Sequence, residues 1–348
     1  MPGTMSELVR IDGARGEGGG QVLRTALALS VITGRPFHLT AIRARRSRPG
    51  LAPQHLHAVR VFRELSGATC TGDTEGSSEL SFAPGAARSG SYRVDVGTAG
   101  SVTLILQAIT LPLALADGSS TIDLRGGTHV PWSPPFNFIE SCWNPFMREL
   151  GVELHVQLEL AGFYPRGGGH IVARIEGGAR LKPLELTERG RLRSVEIVSA
   201  AATVLPAHVR QRQASRAHAG VRSAGCEASV QLVKLPAGSP GSVVAITGRF
   251  EKTRVTTSAL GARGKPAEVV GEEAAAEFRE YLNRPGAVDG RLADQLVLPL
   301  ALAPGPSVYT TTRITEHLKT NVETVRAFVD RPLQIEGRLG QPGRVVIG

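Results

Sequence analysis

With 348 residues, 41% of them hydrophobic and 20% charged, the chain has the material for a large core and about two domains, which excludes a disordered protein. A formal charge of +9 favours a polyanionic partner, nucleic acid being the natural one. Three cysteines without CxxC or finger spacing argue against a disulfide framework or a structural zinc site, and no apolar run is long enough to span a bilayer, so a cytoplasmic protein with no membrane partner is expected.

The first element is a glycine-dense turn, Asp12 to Gly20, running into the apolar helical pattern of Val22 to Val31. Such a turn presents backbone N–H groups to an anion, although it fits neither GxGxxG nor GxxxxGK[ST], and a tight strand-to-helix connection would use the same glycines. Glu17 sits inside the loop where a metal accompanying phosphate would be held, with Arg24 a turn or more into the helix. A strand over Pro36 to Ile42, a helix over Gln54 to Leu65 and strands at 68–71, 79–82 and 92–96 follow.

The same order returns from Gly97: a helix through Ala116, a strand over Thr121 to Arg125, a helix from Phe136 to Leu150, and strands at 153–159 and 170–175. It returns again from Asp289: a helix over Leu292 to Ala303, a strand over Ser307 to Arg313, a helix over Thr315 to Val329, and strands at 334–339 and 344–347. Leu111 to Ala116 reappears letter for letter as Leu298 to Ala303, with Arg24 to Ser30 a looser copy, which marks an internal repeat. Thr25 and Pro112 are 87 positions apart, whereas Pro112 and Pro299 are 187 apart, so an inserted α/β unit lies between the second and third repeats. The expected division is 1–187 for repeats one and two, 188–285 for the insert and 286–348 for the third repeat. The fold class is thus α/β (α+β), built from three repeated β-α-β-α-β-β units.

Arg43, Arg45, Arg46 and Arg48 crowd the turn before Pro49-Gly50, and Gln54, His55 and His57 open the next helix. Guanidinium groups beside a glycine loop suit a phosphate channel, and a solvated basic turn is the plainer alternative. His317 lies near the start of its helix, where the dipole disfavours the imidazolium and suits a neutral nucleophilic nitrogen facing phosphate. Gln107 and the pair Asp294-Gln295 are polar residues in apolar helices and require a partner, either a nucleotide or another repeat's backbone.

Taken together, Gly16-Glu17-Gly18-Gly19-Gly20-Gln21, Arg43-x-x-Arg46, Pro49-Gly50-Leu51, Gln54-His55, Gly126-Gly127-Thr128, Phe163-Tyr164-Pro165-x-Gly167-Gly168-Gly169, Ala293-Asp294-Gln295-Leu296 and His317-Leu318-x-Thr320-Asn321 resemble the RNA 3′-terminal phosphate cyclases over nearly the whole chain. The resemblance implies repeats similar to the C-terminal domain of translation initiation factor 3, with a smaller α/β domain inserted before the third. It implies ATP and a divalent cation (Mg or Mn) as cofactors, RNA with a 3′-phosphate end as partner, and room for a homodimer. His317 would take AMP from ATP, pass it to the RNA 3′-phosphate, and the 2′-hydroxyl would then displace it to leave a 2′,3′-cyclic phosphate. By the same resemblance Glu17 contacts the metal, and Arg24, Arg43, Arg46, Gln54 and His55 face phosphate. Gln107, Arg291, Leu292, Ala293, Asp294 and Gln295 would belong to the ATP site, with Pro134 and Phe138 flanking adenine. Arg291 departs from the family pattern, which has an aromatic there. Some relatives that lack the histidine resemble non-catalytic ribosome-assembly or RNA-binding proteins, but His317 and its motif are present here.

Overall fold

The computed structural model describes residues 7–16, 19–45 and 48–348. Chain order gives β1 (Val9–Asp12), α1 (Gly20–Thr33), β2 (Phe37–Thr40), α2 (Pro53–Ser66), β3 (Thr69–Thr71) and β4 (Leu80–Ala83). There follow β5 (Ser91–Asp95), α3 (Val102–Leu115), β6 (Ser120–Gly126), α4 (Phe136–Phe138), a π turn over Ile139–Trp143, α5 (Asn144–Glu149), β7 (Leu154–Leu160) and β8 (Gly169–Ile175). A two-residue strand, β9 (Glu185–Leu186), precedes β10 (Leu192–Ala202), α6 (Ala207–Arg222), β11 (Ser229–Leu235), β12 (Ser242–Phe250), β13 (Arg254–Leu260) and α7 (Ala267–Asn283). The chain closes with α8 (Gly290–Leu302), β14 (Ser307–Thr311), α9 (Glu316–Arg326), β15 (Leu333–Gly337) and β16 (Gly343–Ile347).

The strands form four mixed sheets of four strands each. Three of them, β1-β2-β4-β3, β5-β6-β8-β7 and β9-β14-β16-β15, share one plan: the first two strands run parallel and the next two pairings are antiparallel. The fourth, β11-β10-β12-β13, is wired differently: its first strand in sequence, β10, lies inside the sheet between β11 and β12, whereas β1, β5 and β9 are edge strands. Because β9 pairs with β14, the third sheet takes its first strand from before the 188–285 segment, ahead of where the sequence spacing starts the third repeat.

Local sequence explains the joints. Gly34 ends α1 in the left-handed region at φ 68°, which costs a residue without Cβ nothing. Pro112 and Pro299 stand three residues from the last residues of α3 and α8, so the repeated hexapeptide places the same helix interruption at the same point of two repeats. The single helix expected over 136–150 is instead broken by the π turn. Pro145, at the start of α5, has no N–H for the carbonyl of Ser141 and its ring crowds that carbonyl, so the preceding turn widens.

One large apolar core joins the helices of the three like sheets, through Leu27 of α1, Leu106 of α3, Leu296 of α8 and Leu318 of α9. The fourth sheet has a core of its own around Ile197, Val221, Ile246 and Phe278. Arg189 ties the entry and exit of that segment, donating to the carbonyls of Tyr281, Arg284 and Gly286 while its guanidinium lies 4.1 Å from the Tyr281 ring centroid. No helix of the described residues is long and apolar enough to cross a membrane.

Candidate active site

α1, α3, α8 and α9 turn one face each toward a common cavity of about 560 Å³, a size suited to a nucleotide. α1 contributes Gln21, Arg24 and Thr25; α3 contributes Gln107; α8 contributes Arg291, Asp294 and Gln295; and α9 contributes His317 and Asn321. Pro134 and Phe138 supply an apolar wall, and Ser258 and Leu260 of β13 bring the fourth sheet to its edge. The site is therefore shared by elements far apart in sequence.

His317 occupies the first turn of α9, whose start is fixed by the Thr315 hydroxyl accepting from the Leu318 N–H. Its Nδ1 lies 2.9 Å from Gln21 Oε1, and Gln21 Nε2 donates to Asp294 Oδ2 at 2.6 Å. An amide oxygen only accepts, so Nδ1 of His317 carries the proton and Nε2 holds the lone pair. The arrangement sets the tautomer from three elements at once. Asn321 anchors them, accepting from the Thr25 hydroxyl and donating to the Asp294 carbonyl.

Asp294 is buried, and burial pushes its carboxyl up to about 7 against the pull of the Gln21 hydrogen bond and of Arg24. Its second oxygen, Oδ1, has no hydrogen-bond partner among the described residues. A carboxyl raised in this way keeps its proton in the fold at pH values where the unfolded chain has lost it. It therefore favours the fold below the ordinary carboxyl value, and that contribution disappears as pH rises toward 7. Asp294→Asn is expected to be more stable than wild type at pH 8, by about a few kcal/mol at most and visible as a higher melting temperature, with the difference closing toward pH 4. Melting curves across that range check it; a gap independent of pH would contradict the burial of a titrating carboxyl.

A small cleft of about 10 Å³, with Arg43 and His55 in its wall, adjoins the first. Arg24 is half-buried, and desolvation lowers its pKa to about 10. His55 is buried at the head of α2, its Nδ1 accepting from the Ala52 N–H, and burial together with Arg24 and Arg43 holds its pKa down to about 3. The ring is therefore neutral, with its proton on Nε2, and it packs so close to Gly20 that a Cβ there would lie 2.3 Å from Nε2. Arg43 donates to the Gly50 carbonyl and shares this cleft with Gly19, Gly20 and His55. Its backbone sits in the left-handed region at φ 52°, a conformation that costs about 1–3 kcal/mol in a non-glycine residue and concentrates at functional sites.

Other residues named from sequence fall elsewhere. Gln54 is exposed beside Gly100 and does not line the large cavity. Leu292 and Ala293 are wholly buried in the core rather than on the cavity wall. Gln107 donates to the Gln295 side chain at 2.7 Å, so the partner that this polar helix residue requires is a side chain of another like unit, and both line the cavity. Glu17 and Arg46 lie outside the described residues. Among the described residues no group of three His, Cys, Asp or Glu side chains gathers to hold a metal.

Sequence reasoning missed Gln21, Asn321 and Thr25 as connectors, and Trp132, which stands 97% exposed on the cavity rim at φ 59°. The signal for Trp132 was a large aromatic in a loop flanked by Pro131, Pro134 and Pro135, which offers it no core to enter.

Residues 15–335 match the family model described as RNA 3′-terminal phosphate cyclase. The chain belongs to the RNA 3′-terminal phosphate cyclase family. It is 42% identical over 347 residues to the RNA 3′-terminal phosphate cyclase of Methanopyrus kandleri, covering 98% of each chain. The corresponding protein of Thermococcus kodakarensis is 44% identical over 340 residues, 97% of each. That of Methylococcus capsulatus is 44% identical over 329 residues, 92% of this chain and 91% of the other. The solved enolpyruvyl transferase NikO from Streptomyces tendae aligns with a TM-score of 0.29 and 16% identity, over 49% of this chain and 33% of that one, too weak a likeness to bear on fold or site.

Proposed function

We propose that this chain performs the activity for which its family is named, closing an RNA 3′-phosphate end to a 2′,3′-cyclic phosphate with ATP as the second substrate. The observation that carries this reading is the His317–Gln21–Asp294 chain at a nucleotide-sized cavity, with the half-buried Arg24 and the buried His55 beside it. In the proposed sequence His317 Nε2 attacks the α-phosphorus of ATP, a P–N bond forms, and pyrophosphate leaves. An oxygen of the RNA 3′-phosphate then displaces the histidine nitrogen and takes the AMP. Finally the 2′-hydroxyl, losing its proton, attacks the 3′-phosphorus and AMP departs. Each step is an in-line displacement, for which positioning and charge neutralisation dominate.

Gln107, Asp294, Gln295 and Arg291 are assigned to ATP, with Pro134 and Phe138 beside the base. Leu292 and Ala293 serve that site as the buried side of α8. The orphaned Oδ1 of Asp294 and the Gln107–Gln295 amides are the kind of polar groups that orient a nucleotide in an apolar slot. Arg24, Arg43, Arg46, His55 and Gln54 are assigned to the RNA phosphate, and Glu17 to a divalent ion that would offset phosphate charge. The three like sheets are taken as repeats akin to the C-terminal domain of translation initiation factor 3, and residues 188–285 as an inserted domain. Incubating the protein with ATP and an RNA bearing a labelled 3′-phosphate tests the reading. The label is expected to become resistant to phosphatase; RNA bound with the label still removable would contradict it.

A further inference from the structure

We infer that Glu277, on α7 of the fourth-sheet unit, positions Arg291 as a wall of the nucleobase slot, so that this unit sets the affinity for ATP. The inference rests on the reading of the large cavity as the ATP site. Arg291 stands in the first turn of α8, where Asp289 caps the helix by accepting from the backbone N–H groups of Arg291 and Leu292. Its guanidinium reaches back across the unit boundary to Glu277, Nη2 to Oε1 at 2.7 Å.

Burial raises the Glu277 carboxyl, against the pull of Arg291 and of the nearby Ser258 N–H. Ser258 and Leu260 of β13 line the same cavity as Arg291, Pro134 and Phe138. Glu277 is thus set on a helix of the unit whose strand β13 reaches the cavity, and Arg189 clamps the two connections that carry that unit. The placement of Arg291 thus depends on the fourth-sheet unit.

This geometry decides between two uses of the arginine. A guanidinium whose charge is met by a carboxylate gains little from swinging to a triphosphate. An ion pair made through the edge of the planar group leaves both of its faces open, and a face is what a purine stacks on. The side chains of Arg291 and Glu277 are 56% and 33% exposed, so the pair belongs to the weaker, partly solvated class and its removal should be felt as a modest change in affinity.

The test is the rate of self-adenylylation against ATP concentration for the full-length protein, E277A and E277Q, and for E277A made in an R291Y background. E277A is expected to raise the apparent KM for ATP by about three- to five-fold while the limiting rate holds, with E277Q recovering part of the loss. In the R291Y background, whatever KM that variant has, adding E277A should change nothing, because a tyrosine needs no carboxylate to hold it. Equal KM effects of E277A in both backgrounds would make Glu277 a structural residue and overturn the inference. So would an unchanged KM in E277A. Failure of the wild-type protein to adenylylate at all would instead remove the ATP-site reading, and the inference with it.

Discussion

His317→Ala is expected to abolish formation of a protein–AMP adduct from ATP labelled at the α-phosphate, in the absence of RNA. In the wild-type protein the adduct should be lost in acid and survive alkali, as a P–N bond does and an acyl phosphate does not. The loss should be complete because the neighbouring groups do not offer a substitute nucleophile. Asp294 is enclosed, Gln21 is an amide engaged at both ends, and His55 is buried in the adjoining cleft with its lone pair on Nδ1 taken by the Ala52 N–H. Equal labelling of the variant would show that another residue carries AMP. Thermal melting guards against a trivial cause, and His317 is exposed to the cavity, so its truncation removes little packing.

The second large effect is expected from Arg43→Ala, read on the transfer of AMP from preformed adduct to RNA ending in a 3′-phosphate. A charged hydrogen bond to phosphate is worth roughly 1.5–3 kcal/mol, so transfer should slow by about ten- to a hundred-fold while self-adenylylation changes far less. Arg43→Lys should recover only part, because a point charge does not reproduce a planar fork. The basis is position: Arg43 shares the cleft of Gly19, Gly20 and His55 and does not line the larger cavity. If self-adenylylation collapsed while preformed adduct reacted normally with RNA, the arginine would belong to the ATP side.

Periodicity made most of the elements legible, since apolar helices and alternating strands are local patterns. What it could not deliver were pairings over long sequence distances. β9 is two residues long, below any pattern, and its partner β14 lies beyond the whole fourth sheet. Gln107 announced that it needed a partner, but Gln295 is 188 positions away and only the packing of α3 beside α8 identifies it. The described glycines of the loop show the close approaches that the plainer reading of its composition required. Gly16 is left-handed at φ 59° and abuts Thr320 of α9, where a Cβ would come within 2.2 Å of the hydroxyl, so close packing alone requires it. Gly20 makes room for His55 at the small cleft. Gln21 stood in the quoted motif without a role, because a glutamine gains meaning only from what its two ends touch, and both of its partners lie in the last sixty residues of the chain.

The central claim is that Gln21 and Asp294 hold the proton of His317 on Nδ1 and so offer Nε2 to the nucleotide. Its most direct test is phosphorus NMR of the adduct formed from ATP on protein carrying isotope-labelled histidine, which reads the ring nitrogen bonded to phosphorus. Phosphorus joined to Nε2 of His317 is the result expected. Phosphorus on Nδ1, or on any residue other than His317, would contradict it.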